Sequence, residues 1–282
     1  MKIKLLTTSD NIQLKYAYSI RDLGNPWIML IIPFGLDVGI ASAFFEFFKS
    51  HYSICAWESR SVLEDSDRDC NVYEFSIDHH VADLLAVLDA LSIEEAILVG
   101  YCSGAGIALA AINQEPNRFD QLILAHGEYT LLGDAKCTTQ FAGDMDILLS
   151  LAASSDERAQ LVFEKIQSER LENDLNRPAG LDQPFSDVRI FKRYAKNYLA
   201  YKATDFKQLA SEVSHPTLLM AGGKDLQVNI ESSQKIHGCL RNSTMFIDPE
   251  ADHYGVLTKD SSTLIAIWNY ICESAQEQHY GR

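Results

Sequence analysis

A chain of 282 residues, 47% of them hydrophobic, can bury a full core and fits one large α/β domain, with or without an insertion, better than two independent domains. Its formal net charge of −15 sets it against nucleic-acid phosphates and anionic membrane surfaces, so neither is an expected partner. The amino terminus lacks the apolar core of a signal peptide, the run from Trp27 to Phe34 is too short to span a bilayer, and six cysteines show no metal-ligand spacing. A cytoplasmic protein without disulfides, structural zinc or another metal is expected.

Ile3-Lys4-Leu5-Leu6 and the segment from Ile12 to Tyr18, separated by Ser9-Asp10-Asn11, read as an antiparallel strand pair. Trp27 to Pro33 and Tyr52 to Trp57 are almost continuously apolar and flank a helical stretch from about Ile40 to Lys49, which predicts a parallel βαβ unit. After Ile77, the residues Val81, Leu84, Leu85, Leu88 and Leu91 recur at helical spacing, with Ser76 or Asp78 available as N-cap. Ala96-Ile97-Leu98-Val99 is the next strand. Leu122 to Ala125, Thr217 to Ala221 and Thr244 to Ile247 supply three more, and a helix from about Ser261 to Glu273 closes the series. Strands alternating with helices imply a doubly wound, mostly parallel sheet. The interval from about Leu132 to Val213 breaks this rhythm, with helical patterns over Met145 to Ala153, Glu157 to Ile166 and Val188 to Tyr201 and no convincing strand. The expected organisation is therefore an α/β core, residues 1–131 and 214–282, with a helical cap inserted over residues 132–213.

Gly100-Tyr101-Cys102-Ser103-Gly104-Ala105-Gly106 joins the strand at Val99 to the helical run Ile107-Ala108-Leu109-Ala110-Ala111-Ile112. Its G-x-[nucleophile]-x-G spacing is that of a nucleophile elbow. Register selects Cys102, which has glycines two residues to either side, over Ser103, which has Tyr101 and Ala105 there. A thiolate at a helix N-terminus gains from the dipole and the free N–H groups. The competing reading, a small buried hydrophobe at a strand end, leaves the flanking glycines without a purpose.

A cysteine nucleophile needs a base within reach and a group to orient it. Gly222-Gly223-Lys224-Asp225 turns the chain after one strand and leaves Asp225 at its carboxyl end. Asp248-Pro249-Glu250-Ala251-Asp252-His253 follows the last strand and presents His253. Rival acids are Glu128, in the turn His126-Gly127-Glu128-Tyr129, and Asp252, a poor candidate because adjacent side chains diverge. His51, His79, His80, His215, His237 and His279 read as solvent-facing or helix-end residues.

The elbow, the GGxD turn, the late histidine and the position of the insertion occur in an order that resembles the α/β-hydrolase superfamily over the whole chain. That resemblance implies an α/β-hydrolase fold and acyl transfer through an acyl-enzyme, with Cys102 as nucleophile, His253 as general base and acid, and Asp225 fixing the imidazole. It also implies an oxyanion hole made by the N–H of Ser103 and a second N–H from Phe34, Gly35 or Leu36, Phe34 being the first choice. Superfamily members commonly carry His-Gly in that loop, whereas this chain has Pro33-Phe34-Gly35. The Phe34 ring is placed to wall the acyl pocket, and Gly35, Tyr101, Tyr194 and Tyr198 are the other candidate substrate contacts. Trp57-Glu58-Ser59-Arg60 resembles the family's Asp-x-Arg-Gly turn but lacks its glycine, and Glu58 and Arg60 read as structural. No cofactor is called for.

A thiol nucleophile exchanges with a thioester almost isoenergetically and leaves an acyl group that remains activated for an amine, an alcohol or water. The expected function is therefore that of a thioesterase or acyltransferase taking acyl thioesters of coenzyme A or of an acyl carrier protein, similar to those that accompany polyketide and nonribosomal peptide assembly. Two alternatives are a dienelactone-hydrolase-like ester or lactone hydrolase, which also places cysteine in the elbow, and a non-catalytic member that binds a small molecule under the cap. The segment Arg189 to Lys202 holds Arg189, Lys192, Arg193, Lys196 and Lys202 among four aromatics. It reads either as a solvated helix face over packed rings or as a surface for an acidic carrier or coenzyme A phosphates.

Overall fold

The computed structural model describes residues 1–21, 26–169 and 178–280. Eight strands, β1 (Lys2–Thr7), β2 (Gln13–Ser19), β3 (Trp27–Ile31), β4 (Ser53–Trp57), β5 (Ala96–Tyr101), β6 (Phe119–Ala125), β7 (Thr217–Gly222) and β8 (Ser243–Asp248), form one sheet in the order β1-β2-β4-β3-β5-β6-β7-β8. The β1–β2 and β2–β4 pairs are antiparallel and the other five are parallel. This is the doubly wound sheet that the alternation of strand and helix implies. Side chains of each central strand alternate between two cores: Leu98 faces one, while Ile97 and Val99 face the other.

The first core is closed by α2 (Ile77–Ala90), α3 (Ser103–Gln114) and α8 (Ile230–His237), and the second by α1 (Ser42–Phe48) and α9 (Ser262–Tyr280). Phe44, Phe45 and Phe48 of α1 pack with Leu264, Ile267 and Ile271 of α9 in the second. Between β6 and β7 lie α4 (Gln140–Ala152), α5 (Asp156–Glu169), α6 (Val188–Tyr201) and α7 (Phe206–Glu212), with no strand among the described residues. Helices α4, α5 and α6 pack on one another, whereas α7 lies against α3 and α8. The short helices α7 and α8 escape the periodicity argument because seven or eight residues offer too few apolar repeats.

Two surface expectations are corrected. His80 is 1% exposed, and Asn197 of α6 meets its Nε2 at 3.0 Å because α6 packs over that end of α2; burial pushes its pKa down to about 4. The five cations of α6 and its end are not a free basic face. Arg189 pairs with Asp67 and Asp187, Lys192 with Asp69 and Asp156, Lys196 with Asp69, and Lys202 with Asp146. Arg193 donates to the carbonyls of Val62, Glu64 and Ser66. Four of the five cations thus meet carboxylates within the chain, Asp67 and Asp69 among them from the loop after β4, which the sequence pattern places far away. His51 is exposed, His215 is half-buried with its Nε2 3.0 Å from the Pro116 carbonyl, His237 ends α8, and the side chain of His279 lies outside the described residues.

Glu58 and Arg60 act within the fold, as their turn suggests. Glu58 accepts from the Val38 N–H at 3.1 Å and pairs with Lys15, which tethers the loop after β3. Arg60, 3% exposed, forms a two-pronged pair with the fully buried Asp83 of α2 and reaches Asp10. Removing one member of a buried pair strands the other charge. Asp83→Ala is expected to cost about 3–5 kcal/mol, read as a lower urea midpoint at unchanged slope.

Candidate active site

The turn from β5 into α3 puts Cys102 at φ 53°, ψ −123°, a left-handed conformation that a side chain rarely adopts. Three backbone hydrogen bonds hold it there: its N–H donates to Ala125 C=O at 3.1 Å, and its C=O accepts from Ala105 N at 3.0 Å and Glu128 N at 3.1 Å. The flanking glycines are steric necessities. A Cβ on Gly104 would lie 2.2 Å from the Ile31 carbonyl oxygen of β3, and one on Gly100 would lie 2.6 Å from Ala105 Cα.

Asp225, in the turn after β7, receives four donors. The N–H groups of Gln227 and Val228 each reach Oδ1 at 2.9 Å. Oδ2 accepts from His253 Nδ1 at 2.8 Å and from His126 Nδ1 at 3.2 Å. An ionised carboxylate only accepts, so both imidazoles carry their proton on Nδ1. With Nδ1 committed to Asp225, Nε2 is the His253 ring nitrogen left for another partner. Asp225, not Glu128 or Asp252, is thus the acid on His253; Glu128 Oε1 takes the Thr130 N–H and Asp252 takes the Tyr254 N–H.

Burial works against charge on Asp225, but the bonds from His126 and His253 overcome it and hold its carboxyl well below the usual carboxylate range. Burial likewise opposes charge on His253, yet negative charge on Cys102 and Asp225 outweighs it and pushes the imidazole up to about 10. His126 was not singled out from the sequence. Its signal was positional: it follows Ala125, which pairs with Tyr101 of β5 and Met220 of β7, so the end of β6 lies between the nucleophile turn and the Asp225 turn. His126 Nδ1, Asp225 and His253 Nδ1 lie within 4.8 Å of one another, the one such group with metal-ligating atoms among the described residues, and hydrogen bonds already join them.

Phe34 N donates to Ser103 Oγ at 3.2 Å, which brings the two expected oxyanion donors side by side at the start of α3. Gly35 N is engaged by Ser59 Oγ at 3.1 Å. Gly35 (φ +82°) does not line the cavity; it lets the loop turn beneath α6, where a Cβ would lie 2.8 Å from the Tyr194 ring. Tyr101 borders the cavity but is 1% exposed, and its hydroxyl donates to the His253 carbonyl at 3.0 Å, tying the histidine loop to β5. Tyr194 and Tyr198 line the cavity from α6, the first with its ring centroid 5.5 Å from that of Phe34 and the second donating to Asp146. The cavity above Cys102 measures about 140 Å³ and is walled by Phe34, Met145, Leu149 and Val228. Pockets for drug-sized ligands run to ~300–1,000 Å³.

A mostly parallel sheet with a sharp strand-to-helix turn after its fifth strand, an acid after the seventh and a histidine after the eighth is the α/β-hydrolase architecture. The family model for the alpha/beta hydrolase fold matches residues 43–260, and the chain belongs to that family. It is 25% identical over 241 residues, 83% of this chain and 82% of the other, to an L-allo-isoleucyltransferase of Pseudomonas savastanoi pv. glycinea. An uncharacterised hydrolase of Bacillus subtilis (strain 168), YugF, is 24% identical over 180 residues, 60% of this chain and 63% of that one. The enol-lactonase from Burkholderia xenovorans LB400 superposes with a TM-score of 0.71 at 15% identity, covering 95% of this chain and all of its own. The protein is an enzyme of the α/β-hydrolase family.

The two charge partners give opposite pH dependences. His253 binds its proton more tightly folded than unfolded, so its contribution is whole below about 6.5, the free imidazole value, and is lost as pH rises through about 10. Asp225 contributes above the free carboxylate value of about 3.9 and loses that contribution on acidification towards its lower folded value. Urea unfolding of wild type and His253→Gln between about pH 6 and 10.5 should show the wild-type advantage shrinking as pH rises. An advantage that grows would mean the imidazole is held neutral.

Proposed function

We propose that the enzyme transfers acyl groups from thioester donors through an acyl-cysteine at Cys102. The observation that carries the reading is a thiol on a strained backbone at the N-cap of α3, in one cavity with an imidazole whose Nδ1 is locked on a buried carboxylate. In the first half-reaction the Cys102 sulfur, its proton already held at His253 Nε2, attacks the thioester carbonyl carbon. The carbonyl oxygen, now negative, is met by the N–H groups of Ser103 and Phe34, the latter turning from Ser103 Oγ. The donor C–S bond breaks and the departing thiol takes the proton from His253. An acceptor then attacks the acyl-cysteine, its proton passes to His253 Nε2, and the Cys102 sulfur leaves with that proton held on the imidazole.

Thioester exchange suits this site because one C–S bond is made as another breaks, whereas an alkoxide or amide leaving group is worse than a thiolate. Support for transfer over generic ester hydrolysis also comes from the relative at 25% identity, whose name describes transfer of an isoleucyl group. Helices α4 to α6 serve as the cap that encloses the acyl group, and the cavity of about 140 Å³ favours a short chain. The donor's carrier, coenzyme A or a carrier protein, is recognised outside the α6 cations, which are paired internally.

Incubation with acyl-coenzyme A or acyl N-acetylcysteamine thioesters is expected to add one acyl mass, lost in Cys102→Ala, with turnover down at least ~1,000-fold. Asp225→Asn should slow acylation by up to about 10⁴-fold. Prompt loss of the adduct in buffer would select hydrolysis, and loss only on adding an amine, alcohol or thiol would select transfer. No adduct from thioesters, with turnover of p-nitrophenyl esters intact in Cys102→Ala, would sink the proposal.

A further inference from the structure

The cavity beside Cys102 is lined mostly by apolar and aromatic side chains, with Ser103, Gln227 and His253 among the polar ones. Glu128 is the sole carboxylate among the described residues that line it, and no lysine or arginine lines it. The side chain is firmly placed. Its backbone N–H donates to the Cys102 carbonyl, its carbonyl accepts from Tyr201 O–H at 2.5 Å, and its Oε1 takes the Thr130 N–H at 2.5 Å. Thr130 itself holds a left-handed φ of 48°, so the loop after β6 is bent around this carboxylate. Among the described residues, Oε2 has no hydrogen-bond or ion-pair partner.

A carboxylate against apolar walls costs free energy unless a cation meets it. The Arg60–Asp83 pair shows how this chain treats an acid it buries for structure: it supplies the cation itself. At Glu128 it does not. Burial pushes the Glu128 carboxyl up from its usual value, and the backbone bond from Thr130 and the nearby His253 charge only partly offset that. A cation carried into the cavity would meet this carboxylate, which is half-buried at its wall. An acyl group on the Cys102 sulfur places its α-substituent one bond beyond the carbonyl, in the space onto which Glu128 opens.

We infer that Glu128 is a specificity residue that pairs with the α-ammonium of the acyl group, so that the donors are aminoacyl thioesters with a free amine. The inference rests on the acyl-cysteine reading above and adds to it the substrate class. Glu128 acts on the bound acyl group by attraction of opposite charge through a charge-assisted hydrogen bond, and it repels acyl chains that end in a carboxylate. It explains why a carboxylate stands in a mostly apolar cavity without orienting His253.

Four N-acetylcysteamine thioesters separate the outcomes: leucyl, N-acetyl-leucyl, 4-methylpentanoyl and succinyl. Acylation of Cys102, followed by intact mass, is expected to be about tenfold or more faster with leucyl than with the other three, the range for a charge-assisted hydrogen bond. In Glu128→Gln, which keeps the Oε1 acceptor for Thr130, the leucyl to 4-methylpentanoyl ratio is expected to fall by about that factor. Because the ratio is taken within one protein, partial loss of folded variant does not change it. Equal rates for leucyl and 4-methylpentanoyl in wild type, or a ratio unmoved by Glu128→Gln, overturn the inference while the adduct leaves the acyl-cysteine reading standing. A ratio reversed towards N-acetyl-leucyl would mean that Glu128 is protonated and donates to a neutral acceptor, and also overturns it. No adduct from any of the four overturns both readings.

Discussion

The left-handed backbone at Cys102 is the constraint on which the rest of the site depends. Such a conformation costs on the order of 1–3 kcal/mol for a residue with a side chain. It persists because Ala125, Ala105 and Glu128 each bind the Cys102 backbone, and because Gly100 and Gly104 let β3, β5 and α3 approach more closely than any Cβ would allow. The reward of the geometry is that the sulfur stands clear of the sheet at the first turn of a helix. From there it reaches both an imidazole and free N–H groups without any rearrangement of the strands.

Around that point the charges are ordered by burial. Asp225 sits almost out of water, and four donors are needed to keep it ionised there. Two of those donors are imidazoles on one oxygen. Holding Oδ2 between His126 and His253 fixes the carboxylate plane, and through it the tautomer of His253, more tightly than a single bond would. The site is therefore rigid where proton position matters and soft where substrates differ, in the aromatic and aliphatic wall contributed by Phe34, Met145 and Tyr198.

Much of this was legible in the sequence because it is written locally. Glycines at fixed offsets from Cys102, a GG turn before Asp225 and a histidine after the last strand are short-range patterns, and each side chain stands where its turn predicts. The strands followed from apolar runs, and α6 begins and ends at the residues its periodicity marks. What stayed hidden depends on contacts between distant segments. His126 became visible only when β6 was seated between β5 and β7. The α6 cations look like a basic face until the loop holding Asp67 and Asp69 folds against them. His80 is polar and at helical spacing, yet α6 covers it. Glu128 could be named as a rival acid, but its proximity to Cys102 and its distance from the Asp225 role are facts of the loop's bend.

The hydroxyl of Tyr101 has a wider consequence. It fastens the carbonyl of His253 to the strand that ends in Cys102, so thiol, imidazole and carboxylate are referenced to the ends of β5 to β8 and to one another. None of those bonds passes through α4, α5 or α6. The thiol, imidazole and carboxylate are thus held in register by the sheet itself, while the overlying helices supply the walls of the cavity.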